Sequence, residues 1–165
     1  IDIGSAEGYY AVGMAMRLPH ARILARDASP KAQTLCRQLA RANGVETRVK
    51  IGGLFGHADF DICKTTKTVV ICDIEGAEDA LLDPTAAPGL LHTDILVECH
   101  PGMAKGVTAR LTDRFSKTHR VTQLDRHVDD CALPGWMHDY SDLDRLITLW
   151  EWRGGPTPWL WMERL

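Results

Sequence analysis

The residues of this chain best suited to chemistry are glycines and acids that stand at the ends of short apolar runs. Ile1-Asp2-Ile3 leads into Gly4-Ser5-Ala6-Glu7-Gly8. Gly4 and Gly8 lack a Cβ, so the backbone there can bend sharply and a ligand can approach the main chain. The first free N–H groups of a following helix attract a carboxylate or a phosphate. Asp27 closes the next apolar run, Ile23-Leu24-Ala25-Arg26. An acid about twenty residues beyond a glycine turn suits the two hydroxyls of a ribose. These segments read as a cradle for a nucleotide-type cofactor. The spacing Asp-x-Gly-x-x-x-Gly departs from the dinucleotide fingerprint Gly-x-Gly-x-x-Gly, because Ala6 and Tyr9 occupy the places of its second and third glycines. A second group, Asp73, Glu75, Glu98 and His100, follows two later apolar runs, where such side chains would face a cation or take a proton from an acceptor.

The glycine turn resembles motif I of the class I S-adenosylmethionine (SAM) methyltransferases. Three further stretches are similar, in order and spacing, to the FkbM-like family of those enzymes: Ile23-Leu24-Ala25-Arg26-Asp27-Ala28-Ser29-Pro30, Ile71-Cys72-Asp73-Ile74-Glu75-Gly76-Ala77-Glu78 and Ile95-Leu96-Val97-Glu98-Cys99-His100. That family carries an acid after strand two, Asp-x-Glu-Gly-Ala-Glu after strand four and Glu-x-His after strand five. The resemblance covers residues 1–103, with Asp73 to Glu78 its most specific part. It implies a Rossmann-like α/β sandwich, a mostly parallel seven-stranded sheet with an antiparallel C-terminal strand and helices on both faces. It also implies SAM as cofactor and methyl transfer to a hydroxyl oxygen of a small molecule or a sugar.

On that reading Asp2, Gly4, Ser5, Ala6, Glu7, Gly8, Asp27, Ala28, Leu54 and Asp73 are the candidate cofactor contacts. Asp27 would accept the ribose hydroxyls, the Ser5 to Gly8 backbone would hold the methionine end, and Gly53-Leu54-Phe55-Gly56 would cover the adenine. His100 and Glu75 are the candidate catalytic groups. Two roles compete for His100: general base, or a tie for the Pro101-Gly102 turn. Glu98, two residues earlier on the same side of an extended strand, would raise the pKa of the imidazole. No metal is expected. Asp73, Glu75 and Glu98 offer oxygen ligands to magnesium, as in some catechol-type methyltransferases, but no second pair of ligands stands at a matching strand end. Other readings are a non-catalytic SAM-fold subunit, a nicotinamide oxidoreductase, which lacks its glycines, and a receiver domain, which would need a phosphoacceptor where Gly52 stands.

The elements that must position these groups alternate apolar runs with helical periodicities, the pattern of an α/β fold with a largely parallel sheet. Ile1 to Ile3 reads as the tail of a first strand whose upstream part is missing, in a single domain spanning residues 1–165. Tyr9 to Leu18 reads as a helix apolar nearly all round, with Gly13 for close packing and Pro19 as its stop. Ser29-Pro30 opens a second helix with a stripe of Ala32, Leu35, Cys36, Leu39 and Ala42, closed by Asn43-Gly44. Strands are expected at Ala21 to Ala25, Val49 to Gly52, Thr68 to Cys72, Asp94 to Cys99 and Arg120 to Leu124. His57 to Lys67 fits neither period and reads as a polar excursion with an edge hairpin. Gly106 to Phe115 is a helix facing inward through Val107, Leu111 and Phe115. Ser141-x-x-Asp144 caps another, with Leu143, Leu146, Ile147 and Trp150 as its buried stripe and Gly154-Gly155-Pro156 as its end. Thr157 to Leu165 is the terminal strand. Trp150, Trp159 and Trp161 are expected in the core, and Trp136, after Pro134-Gly135, near the acceptor.

The 165 residues suffice for one packed core. No apolar run nears the roughly 20 residues of a spanning helix, and no leader is visible, so a cytoplasmic protein with no membrane partner is expected. Five widely spaced cysteines, Cys36, Cys63, Cys72, Cys99 and Cys131, read as reduced, buried thiols. The net charge of -3 is unevenly spread: residues 51–100 hold nine acids against two bases. That acidic middle carries the loops after strands four and five, and its field favours a sulfonium and disfavours nucleic acid. Arg110, Arg114, Lys117, His119 and Arg120 alternate with Leu111 and Phe115 as the solvated face of a helix does.

Overall fold

Val70, Ile71 and Cys72 are all buried although they alternate sides, as a strand covered on both faces requires. They belong to β4 (Val69–Cys72). The other strands are β1 (Asp2–Ile3), β2 (Ile23–Arg26), β3 (Val49–Gly52), β5 (Asp94–Glu98), β6 (His119–Leu124) and β7 (Trp159–Arg164). The computed structural model describes residues 1–125, 133–150 and 155–165. Cys131 and Gly154, each given a place by the sequence, lie outside the described residues. Within them one sheet runs in the order β3-β2-β1-β4-β5-β7-β6. β1 to β5 pair in parallel, and β7 enters between β5 and β6 antiparallel to both. This is the expected seven-stranded sheet with its reversed last strand. Strand order turns back between β1 and β4, and a crevice forms outside the carboxyl ends at such a point.

Five α-helices surround the sheet among the described residues: α1 (Tyr9–Arg17), α2 (Pro30–Ala42), α3 (Glu78–Leu81), α4 (Val107–Phe115) and α5 (Asp142–Leu149). Ser29 caps α2 by accepting from the Ala32 N–H at 3.3 Å, and Gly44 takes the left-handed conformation beyond its end, φ 65°. The inward face of α2 is rotated from the expected stripe. Cys36 and Ala40 are buried, whereas Leu35 is exposed and Ala42 faces solvent. Alanine is apolar enough to suit either environment, so it left the phase of the stripe open. Gly13 is not a packing glycine: a Cβ there would meet nothing within 4 Å. Met16 and Leu18 are exposed, so this stretch, although apolar nearly all round, is not buried all round.

The core has two parts. Val107, Leu111 and Phe115 of α4, with no solvent exposure, pack with Val70, Cys72, Ile95, Val97, Leu160 and Met162. Ala11, Val12 and Ala15 of α1 pack with Ala25, Cys36 and Ala40. Cys36, Cys63, Cys72 and Cys99 are buried and free, as expected of reduced thiols. The segment expected to form an edge hairpin is instead a 3₁₀ helix, His57–Lys64. Its two buried residues, Phe60 and Cys63, are three apart, the repeat of a 3₁₀ turn.

The largest departure is α5. Ser141 caps it as the sequence indicates, accepting from the Asp144 N–H at 3.2 Å, but its apolar stripe is not covered by the described residues. Leu143, Leu146, Ile147 and Trp150 are 66%, 55%, 49% and 45% exposed. Trp159 and Trp161 are partly buried in β7, and Trp159 meets Tyr10 edge to face at 5.9 Å. No helix among the described residues is long and apolar enough to cross a membrane.

Candidate functional site

Gly4 follows β1 with φ 83°, and a Cβ on it would stand 1.6 Å from the carbonyl oxygen of Asp73, the residue after β4. Only glycine permits that approach, so the turn after β1 rests directly on the end of β4. The Gly4 and Ser5 N–H groups donate to the Arg26 carbonyl at 2.9 and 3.0 Å, which ties the same turn to β2. Gly8, φ 97°, is the residue before α1, where a Cβ would come within 2.6 Å of Cys36 Sγ. No side chain caps α1, so its first N–H groups point at the turn without a capping oxygen.

Asp27 is more than a solvated acid at a strand end. One carboxylate oxygen accepts from the Ala6 N–H at 2.9 Å and the other from the Ser29 N–H at 2.8 Å. It therefore holds the glycine turn to the start of α2, and each oxygen keeps a further lone pair for a ligand hydroxyl. Asp2 is buried and accepts a backbone hydrogen bond from Ala11, yet its second oxygen has no partner among the described residues, nor does the buried Ser5 hydroxyl. Burial pushes the Asp2 carboxyl up to about 6. Buried polar atoms without partners beside a glycine turn are groups that a bound polar ligand would satisfy. Glu7, Ala28 and Leu54 are exposed at this edge, Leu54 by 83%.

The second group meets at the ends of β4 and β5. His100 is buried, and its Nδ1 is 2.6 Å from Glu78 Oε1. An ionised carboxylate only accepts, so the Glu78 contact places a proton on Nδ1, and in the neutral ring Nε2 then presents a lone pair. Nε2 stands 3.5 Å from Asp73 Oδ1 and 3.5 Å from Glu75 Oε2. Glu75 takes a left-handed conformation, φ 53°, ahead of Gly76 at φ 101°. Left-handed backbone in a non-glycine residue is strained, and strain of this kind gathers at functional sites. Burial, together with the charge and hydrogen bond of Glu98, pushes Asp73 up to about 7. The carboxylate on the His100 ring is Glu78, which the sequence did not single out as its partner, and Glu98 engages Asp73. Asp73, Glu75 and His100 each bring one ligand atom within 4.8 Å of the others, so the set that converges contains His100 in place of Glu98.

Glu78 enters the sequence reading only as the last residue of the Asp73 to Glu78 hexad, with no role of its own. Its side chain is fully buried, one oxygen receiving the Gly76 N–H at 3.0 Å as well as His100. The signal was present in the Asp73 to Glu78 hexad, but helical periodicity does not reveal an acid turned inward toward a partner 22 residues on. Trp136, expected near the acceptor, is 69% exposed and packs edge to face on Tyr140 at 5.7 Å.

No protein-family model matches the chain. A stretch of 50 residues, 30% of the chain, is 40% identical to the release factor glutamine methyltransferase of Chlorobaculum tepidum and spans 17% of that relative. The O-methyltransferase from Bacillus cereus in complex with SAH is similar in structure at 12% identity and a TM-score of 0.63, over 99% of this chain and 72% of that one. A candidate tRNA (m1A22) methyltransferase from Streptococcus pneumoniae in complex with S-adenosyl-L-methionine is similar at 11% identity and a TM-score of 0.63, over 99% of this chain and 64% of that one. What is shared at such identities is the fold, and this chain has the Rossmann-like fold of the class I methyltransferases.

Proposed function

We propose that this chain is a SAM-dependent methyltransferase of the FkbM-like kind, acting on a hydroxyl oxygen of a small molecule or a sugar. The observation that carries the reading is the cradle after β1. Gly4 is held against the Asp73 carbonyl, Asp27 is fixed between two loops, and the polar atoms of Asp2 and Ser5 lack partners among the described residues. The residues fit a cofactor with a ribose, an ammonium and a carboxylate. Asp27 would accept the ribose hydroxyls, the N–H groups of the Ser5 to Gly8 turn and of α1 would meet the carboxylate, and Asp2 or Asp73 would meet the ammonium. Leu54, exposed beyond β3, would close over the adenine on ligand binding.

When bound, SAM supplies a methyl group on a cationic sulfur, already an electrophile with a good leaving group. The chain's part is then to hold the acceptor in line, an effect equivalent to effective molarities on the order of 10⁵ M or more. His100, its ring set by Glu78, takes the hydroxyl proton at Nε2, a contribution of about 10² to 10⁴ in rate. Glu75, 72% exposed at its side chain beside Nε2, orients the acceptor. The acidic rim disfavours a phosphate backbone, so a small-molecule or glycan partner is favoured over nucleic acid.

Calorimetry with SAM, S-adenosylhomocysteine and NAD tests the cradle. Micromolar binding of the first two and none of NAD is the expected result. Heat from NAD alone would move the chain to the oxidoreductases. SAM binding without transfer to any hydroxyl compound would favour the non-catalytic subunit.

A further inference from the structure

His100 is nine-tenths buried, yet among the described residues its Nε2 makes no hydrogen bond. It is aimed between Asp73 Oδ1 and Glu75 Oε2, each 3.5 Å away. Asp73 Oδ1 is itself a buried oxygen with no hydrogen-bond partner among the described residues. No Lys or Arg among the described residues makes an ion pair with Asp73, Glu75 or Glu78. A buried ring nitrogen thus faces two carboxylate oxygens across a gap that calls for positive charge. Positive charge at that point, a second proton on the ring or a metal cation bound at Nε2, satisfies all three.

We propose that Asp73 Oδ1, Glu75 Oε2 and His100 Nε2 form a three-ligand site for a divalent first-row cation, manganese or zinc in kind. Bonds of about 2.0 to 2.2 Å to nitrogen and oxygen, set at a tetrahedral angle, separate two ligand atoms by about 3.3 Å. Two of the three separations are already 3.5 Å and all lie within 4.8 Å, and the exposed Glu75 is placed to close the rest by moving inward. The fixed tautomer matches as well, because ligating imidazoles hold their second N–H on a carboxylate, here Glu78 at 2.6 Å. One imidazole and two carboxylates suit manganese or zinc better than calcium, which takes oxygen ligands alone. Three protein ligands leave positions open to water or to an oxygen of the acceptor, and this last assignment alone rests on the methyl-transfer reading. A cation there also changes the role of His100, since one lone pair cannot both bind a metal and take the acceptor's proton.

Manganese is the probe, because thiols of the buried cysteines are poor ligands for it. Titration of the chain without SAM, followed by the loss of the free Mn²⁺ signal in electron paramagnetic resonance, is expected to show one ion per chain. Pulsed spectra are expected to show coupling to an imidazole nitrogen. Glu75→Gln, at an exposed position, is expected to weaken binding tenfold or more with an unchanged melting temperature, and His100→Gln to remove the nitrogen coupling. If His100→Gln does not fold, Glu75→Gln and the parent's nitrogen coupling decide. No binding at millimolar Mn²⁺, or binding unchanged in Glu75→Gln, overturns the site. Because none of these readouts involves SAM, such a failure leaves the methyltransferase reading standing, and a failure of SAM binding leaves this site standing.

Discussion

Asp2 and Asp27 both serve the cradle, yet their environments predict opposite responses to mutation. Asp2 is buried and its carboxyl is raised by desolvation to about 6, above the unfolded value of 3.8. Between pH about 4 and 6 the folded chain therefore binds more protons than the unfolded one, and stability falls as pH rises through that window. Above it the folded state carries the whole penalty, on the order of 3 kcal/mol. Asp2→Asn removes the charge. It is expected to melt above the parent at pH 8, with the gap closing toward pH 4; a gap that does not depend on pH would show that Asp2 is not the cause. Asp27 is the reverse case. Its carboxylate receives two backbone N–H groups, and hydrogen bonds to a charge contribute about 1.5 to 3 kcal/mol each. Asp27→Ala is expected to lower the melting temperature by several degrees before any ligand is added, and SAM affinity about tenfold or more besides. Thermal scans of the free variant check the first part, since an unchanged melting temperature would make Asp27 a ligand group only.

At the scale of elements, α4 and α5 look alike in sequence and differ in the fold. Val107, Leu111 and Phe115 repeat every four residues and are fully buried, so the helical period of α4 disclosed both the element and its face. Leu143, Leu146 and Ile147 follow the same rule, yet they are exposed. An amphipathic pattern reports that a face is apolar, not what lies against it. Phe115→Ala is expected to destabilise by about 3 to 5 kcal/mol, whereas Leu146→Gln is expected to shift the denaturation midpoint little. Urea unfolding of the two variants measures both, and a large loss for Leu146→Gln would mean that the stripe is covered in solution. The missed 3₁₀ helix has a similar origin: Phe60 and Cys63 alone carry its period, too few positions to separate it from a loop.

Across the whole molecule, the legible features were those set by neighbours in sequence. Glycine turns, caps, strand runs and the order of the acids all follow from local chemistry, and the sheet with its reversed last strand follows from their succession. Contacts between distant segments were not legible. The Glu78–His100 pair, the Asp73–Glu98 pair and the double anchorage of Asp27 depend on how β1, β2, β4 and β5 lie side by side at their carboxyl ends. Only the resemblance in the Asp73 to Glu78 hexad pointed toward the first of them.

The approach of Gly4 to the Asp73 carbonyl has a consequence for how the two sites are filled. With 1.6 Å between an added Cβ and that oxygen, the turn after β1 and the peptide after β4 have no slack between them. A ligand that tightened the turn would press on the peptide that carries Asp73, and the proposed cofactor and cation sites would then be linked by a coupling free energy. Such coupling is reciprocal: S-adenosylhomocysteine is expected to change the affinity for Mn²⁺ by the same factor that Mn²⁺ changes the affinity for S-adenosylhomocysteine. Closing that thermodynamic cycle by calorimetry measures the factor, and a value of one would mean that the two pockets fill independently. A factor above one would mean that each ligand is held more tightly when the other is already in place, whichever enters first.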